Sequence, residues 1–298
     1  MQNKKKLISI VLNCYNGSEY LDAALYSVLN QTYKNWELIF WDNRSTDDSK
    51  KIFYSFKSKK FRYFKSKKHV SLYKAKNLAI QKCKGKYITF IDSDDTWEND
   101  KLKKQIKLFS NKKIGVVYGN MWIRNESNNK SKIYWKKKLP EGFIYSVLLK
   151  NYCIGIISVM IKREILTLKN KIFNDRYNHI GDFDLFLKLS KKYRFGVVQS
   201  PIATYRIHGK NLSFLQRKNE VKELKEWVKQ NQIKLKKYEI NIMKKKIEQK
   251  NFINVKFEGN FIKTIKFFFK SKNFKYKFKK LVLLILPIGL LKKIMWYV

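Results

Sequence analysis

The chain has 298 residues, 44% hydrophobic and 15% aromatic, which suffices for a packed core and excludes global disorder. With 66 Lys and Arg against 23 Asp and Glu, its formal net charge of +43 calls for a polyanionic neighbour: nucleic acid, anionic lipid or a phosphate-bearing substrate. Three prolines and 11 glycines exclude collagen-like and low-complexity classes, and three cysteines without metal or disulfide spacing point to a reducing cytosol.

The length suits one large α/β domain, or one domain with an appendage. The N-terminal lysines and apolar residues begin like a signal peptide, but the apolar stretch is short and breaks at Asn13. LISIVLN (7–13) is therefore read as the first buried strand. Asn16, Gly17 and Ser18 punctuate, and Leu21, Ala24, Leu25, Val28 and Leu29 recur at helical spacing with Ser18 as the expected cap. WELIFWD (36–42) is a second strand, and Asp47 and Asp48 suit the start of the next helix. FRYF (61–64) reads as a third strand and residues 74–83 as a helix. YITFI (87–91) is a fourth strand, followed by a helix at 99–109 and a strand, IGVVYGN, at 114–120. This β-α-β-α rhythm predicts a mostly parallel, Rossmann-like sheet with helices on both faces. Ligands of such sheets lie beyond the carboxyl ends of the strands, where Asn13, Asp42 and Asp92 all fall.

From 122 to 205 the pattern is mixed and includes an apolar segment, YCIGIISVMI (152–161). Beyond 214 the chain changes character, giving expected domains of 1–214 and 215–298. Lys and Glu interleave over 218–250, as in an exposed helix with i,i+4 pairing. The apolar run at 281–291 is shorter than the roughly 20 residues that span a bilayer. Basic flanks and the anchors Trp296 and Tyr297 suit a segment lying in an anionic membrane interface; a core helix with solvated lysines is the alternative.

The densest chemistry is at Asp92, Asp94 and Asp95, three acids within four positions of a strongly basic chain. A polar turn capping a helix would account for them, as would a divalent-cation site for a phosphorylated substrate. The surrounding motifs, SIVLNCYNGSEYLDAALYSVLNQTY, LIFWDNRSTDDS, KAKNLAI, GKYITFIDSDDTW, FNDRYNHIGDFDLFLKLS and YRIHGKNLS, resemble the family 2 glycosyltransferases of GT-A fold. They follow the family's order over about 70% of the chain, and the Lys-rich remainder has no counterpart.

The resemblance implies an inverting transfer from a nucleotide sugar, with Mn²⁺ or Mg²⁺ at a DXD motif. Asp94 would be the main metal ligand, Asp92 would lie near the ribose or metal beside Ser93, and His208 near the diphosphate and metal. Asn13, Tyr15 and Asn16 occupy the slot where the family reads Pro-x-Tyr-Asn, here without the proline. Asp42 matches the base-reading aspartate, and Lys76 with Asn77 the Arg-Asn pair. Arg206 would hold a phosphate oxygen, and Glu19 opens the first helix beside the nucleotide loop. Asp182 is the implied general base, with Asp184 at the helix start and Gly181 where the family has glutamate.

The expected partners are a nucleotide-sugar donor, a glycan or polyprenyl-linked acceptor and the inner face of the cytoplasmic membrane. No nucleic acid is expected. A nucleic-acid-binding protein rests on charge alone, which is spread evenly and carries no recognition motif. A nucleotidyltransferase can share the sheet and the metal aspartates.

Overall fold

The computed structural model describes residues 6–166 and 172–258. The chain divides into two compact units, 1–209 and 210–298. In the first, β1 (Ile8–Cys14) and β2 (Trp36–Asp42) are buried at every position, which suits their mostly apolar sequences, and the buried Ser9 donates to Glu37 at 2.7 Å. Between them α1 (Ser18–Leu29) buries Leu21, Ala24, Leu25 and Val28 against the sheet. α2 (Ser49–Ser55), β3 (Phe61–Lys65), α3 (Leu72–Ile80) and β4 (Tyr87–Asp92) complete a half-sheet in which β3, β2, β1 and β4 run parallel.

Beyond β4 the pairing is mixed. β5 (Thr96–Trp97), α4 (Lys101–Leu108), β6 (Ile114–Asn125), β7 (Lys130–Ile133), α5 (Tyr145–Lys150), β8 (Met160–Lys162), α6 (Gly181–Lys192) and β9 (Arg194–Ile207) follow in order. Among the described residues one sheet runs β3-β2-β1-β4-β8-β6-β9-β5, with β7 on β6. β8 is antiparallel to both β4 and β6, whereas β9 is parallel to β6 and antiparallel to β5. The segment 152–161 is largely loop and a single 3₁₀ turn, Ile156–Ser158, that enters β8.

Irregularities in the β6–β9 register between Ile114 and Trp122 bend the long final strand, because an unmatched residue increases local twist. Its far end reaches β5, pairing Thr204 with Thr96 and Ala203 with Trp97. The end of β9 thereby lies against the aspartate turn.

Ser18 does not cap α1 with its side chain. Its backbone N–H instead donates to Asp47 Oδ2 at 2.9 Å, and Asp47 Oδ1 accepts from the Ser49 N–H at 3.1 Å. One carboxylate thus serves the starts of both α1 and α2. Burial opposes its charge, yet the Ser49 and Ser18 hydrogen bonds hold Asp47 below the usual carboxylate range.

In the second unit, α7 (Leu212–Leu215) precedes α8 (Arg217–Asn231) and α9 (Lys237–Phe257). The single exposed helix expected over 218–250 is therefore two helices, broken at 232–236. Val221, Leu224 and Trp227 of α8, with Met243, Ile247 and Phe252 of α9, are buried, so neither helix is wholly solvated. Ion pairs cross between them, Lys218 to Glu258 at 3.1 Å and Lys250 to Glu220 at 2.8 Å. No helix among the described residues is long and apolar enough to cross a membrane. The segment at 281–291 and its anchors lie outside the described residues.

Lys101, at the start of α4, is fully buried. Its ammonium donates to Thr89 Oγ1 at 2.9 Å and Gln105 Oε1 at 2.7 Å, and lies 4.0 Å above the Trp97 ring. Burial pushes its pKa well below the usual lysine range. The unfolded chain then binds the proton more readily, so stability rises with pH between the folded and unfolded pKa values and is lost as pH falls through that window. Lys101→Met should flatten this rise in urea unfolding as pH is raised toward the ordinary lysine value of about 10. An unchanged slope would exclude Lys101 as its source.

Candidate active site at the carboxyl edge

The turn from β4 into β5 closes with the Asp95 N–H on the Asp92 carbonyl at 3.2 Å. Asp95 is buried; its Oδ1 accepts the Arg206 N–H at 2.8 Å, while Oδ2 has no partner among the described residues. Burial, then the charges of Asp94 and Asp92, push its carboxyl well above the usual range. The Arg206 guanidinium donates through Nε to the Asp94 carbonyl at 2.8 Å, pairs with Glu126 at 3.2 Å and lies 4.8 Å above the Tyr20 ring. Here Arg206 braces the turn from behind, with its charge engaged by Glu126.

His208 Nε2 donates to Asp94 Oδ2 at 2.9 Å, and its ring is 4.9 Å from Tyr20. His208, which the resemblance places near the diphosphate and metal, thus meets Asp94 between the β4 turn and the end of β9. The loop after β1 presses on the same turn: a Cβ at Gly17 would fall 2.6 Å from Ser93 Oγ. Glu19 is exposed in the first turn of α1, beside Tyr20.

Asn13 is in register with Trp41 on β2 and Asp92 on β4, so all three project from one face at the sheet's carboxyl edge. Its side chain is 8% exposed, and neither amide atom has a partner among the described residues. Trp41 Nε1 is likewise buried and unpaired there. Asp42 ends β2 but is fully buried, with Oδ1 accepting the Ser45 N–H at 2.7 Å and Oδ2 accepting the Tyr63 hydroxyl. In this structure its carboxylate shapes the loop that follows. Asn16, at φ 50°, accepts the Thr46 N–H at 2.8 Å and joins that loop to the one after β1. Tyr15, 53% exposed, lies 4.2 Å from the His69 ring.

α3 connects these groups to Asp182. Lys76 is 1% exposed, and its ammonium donates to Asp92 Oδ1 at 2.7 Å. Instead of extending to solvent, this lysine is buried on the aspartate turn. Asn77 binds the backbone of Ile172 and Phe173, fixing the segment that leads to α6. Tyr73, one turn before Lys76, donates to Asp182 Oδ1 at 3.0 Å, and Tyr152 donates to Oδ2 at 3.1 Å. Burial raises the Asp182 pKa against the opposing effect of hydrogen bonds from the Phe183 N–H, Tyr73 and Tyr152. Both phenols are pushed well above the usual tyrosine range by burial and by the Asp182 charge, so they remain donors. Asp184 is turned away, buried and paired with Lys188 at 2.6 Å.

Gly181 explains how Tyr73 fits. A Cβ there would lie 2.4–2.6 Å from three atoms of the Tyr73 ring. Sequence reasoning missed Tyr73, Tyr152, Tyr20 and Glu126. The one available signal was the placement of Tyr73 three residues before Lys76, on the same helix face.

A sheet of this order, with an aspartate turn after its fourth strand and a second acid at the start of α6, defines a GT-A glycosyltransferase. The chain belongs to glycosyl transferase family 2, whose profile matches residues 9–168. The Escherichia coli UDP-Glc:alpha-D-GlcNAc-diphosphoundecaprenol beta-1,3-glucosyltransferase WfgD is 31% identical over 221 residues, covering 74% of this chain and 83% of the relative. WfaP of the same species and description is 30% identical, over 74% and 83% of the two chains. Among solved structures, S. aureus TarS 1-349 with UDP-GlcNAc superposes with a TM-score of 0.57 at 17% identity, over 68% of this chain and 59% of that one. Mannosyltransferase PcManGT from Pyrobaculum calidifontis, with GDP-Man and Mn²⁺, gives 0.55 at 14%, over 74% and 64%. The glycosyltransferase reading thus prevails over the nucleic-acid-binding and nucleotidyltransferase alternatives.

Gly181→Ala should lower unfolding free energy by about 1–3 kcal/mol, the usual cost of overpacking a filled site. Urea unfolding at neutral pH measures this directly; an unchanged midpoint would mean that the Tyr73 ring yields freely.

Proposed function

We propose that the protein is a metal-dependent, inverting glycosyltransferase that moves a sugar from a UDP-sugar to a hydroxyl of a lipid-linked glycan in cell-envelope polysaccharide synthesis. The observation that carries this reading is the double engagement of α3. Lys76 holds Asp92, and Tyr73, about 5–6 Å away between Cβ atoms on the same helix face, holds Asp182. The acidic turn and the second acid therefore face one short stretch of edge, as a donor diphosphate and an acceptor hydroxyl require.

Among the described residues no three His, Cys, Asp or Glu side chains form a closed metal site. Asp94 and His208, 2.9 Å apart, offer one carboxylate and one imidazole, which suits a cation completed by substrate phosphates. A divalent ion bound there would neutralise the diphosphate as it departs. The relatives support the donor and acceptor classes, since WfgD and WfaP are named for UDP-Glc and a diphosphoundecaprenol-linked GlcNAc.

In the proposed reaction Asp182 takes the proton of the acceptor hydroxyl while its oxygen attacks the anomeric carbon. The bond from that carbon to the diphosphate breaks, and the nucleoside diphosphate leaves with the electron pair. Asn13 offers the nucleotide sugar a carbonyl acceptor and an NH2 group with two N–H donors, both groups unmatched among the described residues. Tyr15 supplies an exposed ring for the nucleobase. Asp42 acts on the base site through the loops it shapes and Lys76 by fixing Asp92, while Arg206 keeps the turn in place. Acceptor lipid and the basic segment beyond 258 would bring the enzyme to the inner face of the cytoplasmic membrane.

Asp182→Asn should cut sugar transfer by at least about 100-fold while leaving UDP binding intact. Asp94→Asn should instead weaken Mn²⁺-dependent UDP binding. Calorimetry with UDP, alongside UDP release from UDP-sugars with a synthetic GlcNAc-diphospholipid, separates the two roles, and a reversed pattern would reject the assignment. Because burial raises the Asp182 pKa and the base must be ionised, kcat/KM should fall on acidification at a pH above the ordinary aspartate value of about 4. For the membrane role, truncation before residue 281 should release the protein from anionic liposomes washed in high salt; equal sedimentation of both forms would refute it.

A further inference from the structure

The two phenols on Asp182 come from separate parts of the fold. Tyr73 is on α3, where its ring packs 5.0 Å from Phe173 and against the bare face of Gly181. Tyr152 follows α5, its ring 5.3 Å edge-on to Phe183. Each hydroxyl addresses a different carboxylate oxygen, at 3.0 and 3.1 Å. One bond to each oxygen fixes both the position and the rotation of the carboxylate plane, which neither bond could do alone. A carboxylate has about four lone-pair sites, so each oxygen retains room to accept another hydrogen.

We infer that Tyr73 and Tyr152 are positioning residues for sugar transfer: their hydroxyls orient the Asp182 carboxylate toward the acceptor and stabilise its negative charge. The inference rests on the reading of Asp182 as the base. Aliphatic neighbours at these places would bury the same carboxyl without directing it. A lysine or arginine would hold it more tightly, and a carboxylate bound that firmly is a poorer proton acceptor. Neutral phenols lie between these extremes.

The titratable groups facing Asp182 belong to several elements. Tyr73 of α3 and Tyr152 touch it directly, and Tyr134, after β7, feels its charge at longer range. Asp92, at the end of β4, acts on Tyr73. On its own helix, the adjacent acid Asp184 is neutralised by Lys188. Both phenol bonds lower the Asp182 pKa against burial, which raises it. Removing either hydroxyl should therefore move the Asp182 titration to higher pH.

The test compares full-length wild type, Tyr73→Phe, Tyr152→Phe and Asp182→Asn. In protein labelled with ¹³C at aspartate carboxyls, the Asp182 resonance is identified by its loss in Asp182→Asn and followed against pH. Each Phe variant should titrate at higher pH than wild type. With UDP-glucose and a synthetic GlcNAc-diphospholipid, each should lower kcat near neutral pH by about tenfold, the worth of one charge-assisted hydrogen bond. The acid limb of the rate profile should shift in the same direction, with UDP affinity held within about twofold. An unmoved Asp182 titration in both Phe variants overturns the inference. If Asp182→Asn retains transfer, the base reading fails, whereas the titration still judges what the phenols do. Should Tyr73→Phe not fold, Tyr152→Phe decides alone, since it leaves the Gly181 packing untouched.

Discussion

The ion pair between Lys76 and Asp92 sets the geometry of the site. An ammonium left 1% exposed is tolerable only with a partner, and its partner is the first acid of the aspartate turn. Removing Asp92 would leave the buried ammonium alone, at a cost typically of about 3–5 kcal/mol, whereas Asp92, 33% exposed, can turn to solvent if Lys76 is lost. The pair therefore fixes α3 against the end of β4. With α3 fixed, Tyr73 must face α6, and the segment tied down by Asn77 must run past the same helix. The aspartate turn and Asp182 are positioned by one element rather than by two independent loops.

The other side of the turn is held by β9. Its bulges carry Arg206 and His208 across to the aspartates, and the three acids there cannot all be stabilised alike. Asp92 has an ammonium, Asp94 an imidazole, and Asp95 only a backbone N–H with the Arg206 charge nearby. Burial and the neighbouring acidic charges push the Asp95 carboxyl well above the usual carboxylate range. Asp92 and Asp94 stay partly exposed, with 33% and 28% of their side chains accessible, whereas Asp95 is buried.

Much of this was legible in the sequence because the relevant signals are local. Continuous apolar runs marked β1, β2 and β4, and a parallel half-sheet then brought their carboxyl ends together. Asp94 and His208 could be paired only through the family resemblance, since 114 positions separate them. Tyr73 and Tyr152 were hidden because aromatic residues on a helix face or in an apolar stretch look like core. The break between α8 and α9 was hidden too: the sequence at 232–236, QIKLK, contains neither glycine nor proline, so helical periodicity runs through it unmarked. The charge of +43 was the least informative feature, because lysine is distributed over the whole chain.

Two of the three departures from the family pattern are answered within this chain. Gly181 stands where a glutamate is usual, and the space its missing side chain leaves is filled by the Tyr73 ring, whose hydroxyl reaches the neighbouring Asp182. Lys76 stands where an arginine is usual. A point charge satisfies a single carboxylate oxygen in a closed slot, whereas a planar fork with five donors would leave several unpaired. Asn13, in place of a proline, has no internal answer among the described residues. Among the described residues its buried amide is left unpaired, at a cost of about 1–3 kcal/mol per group.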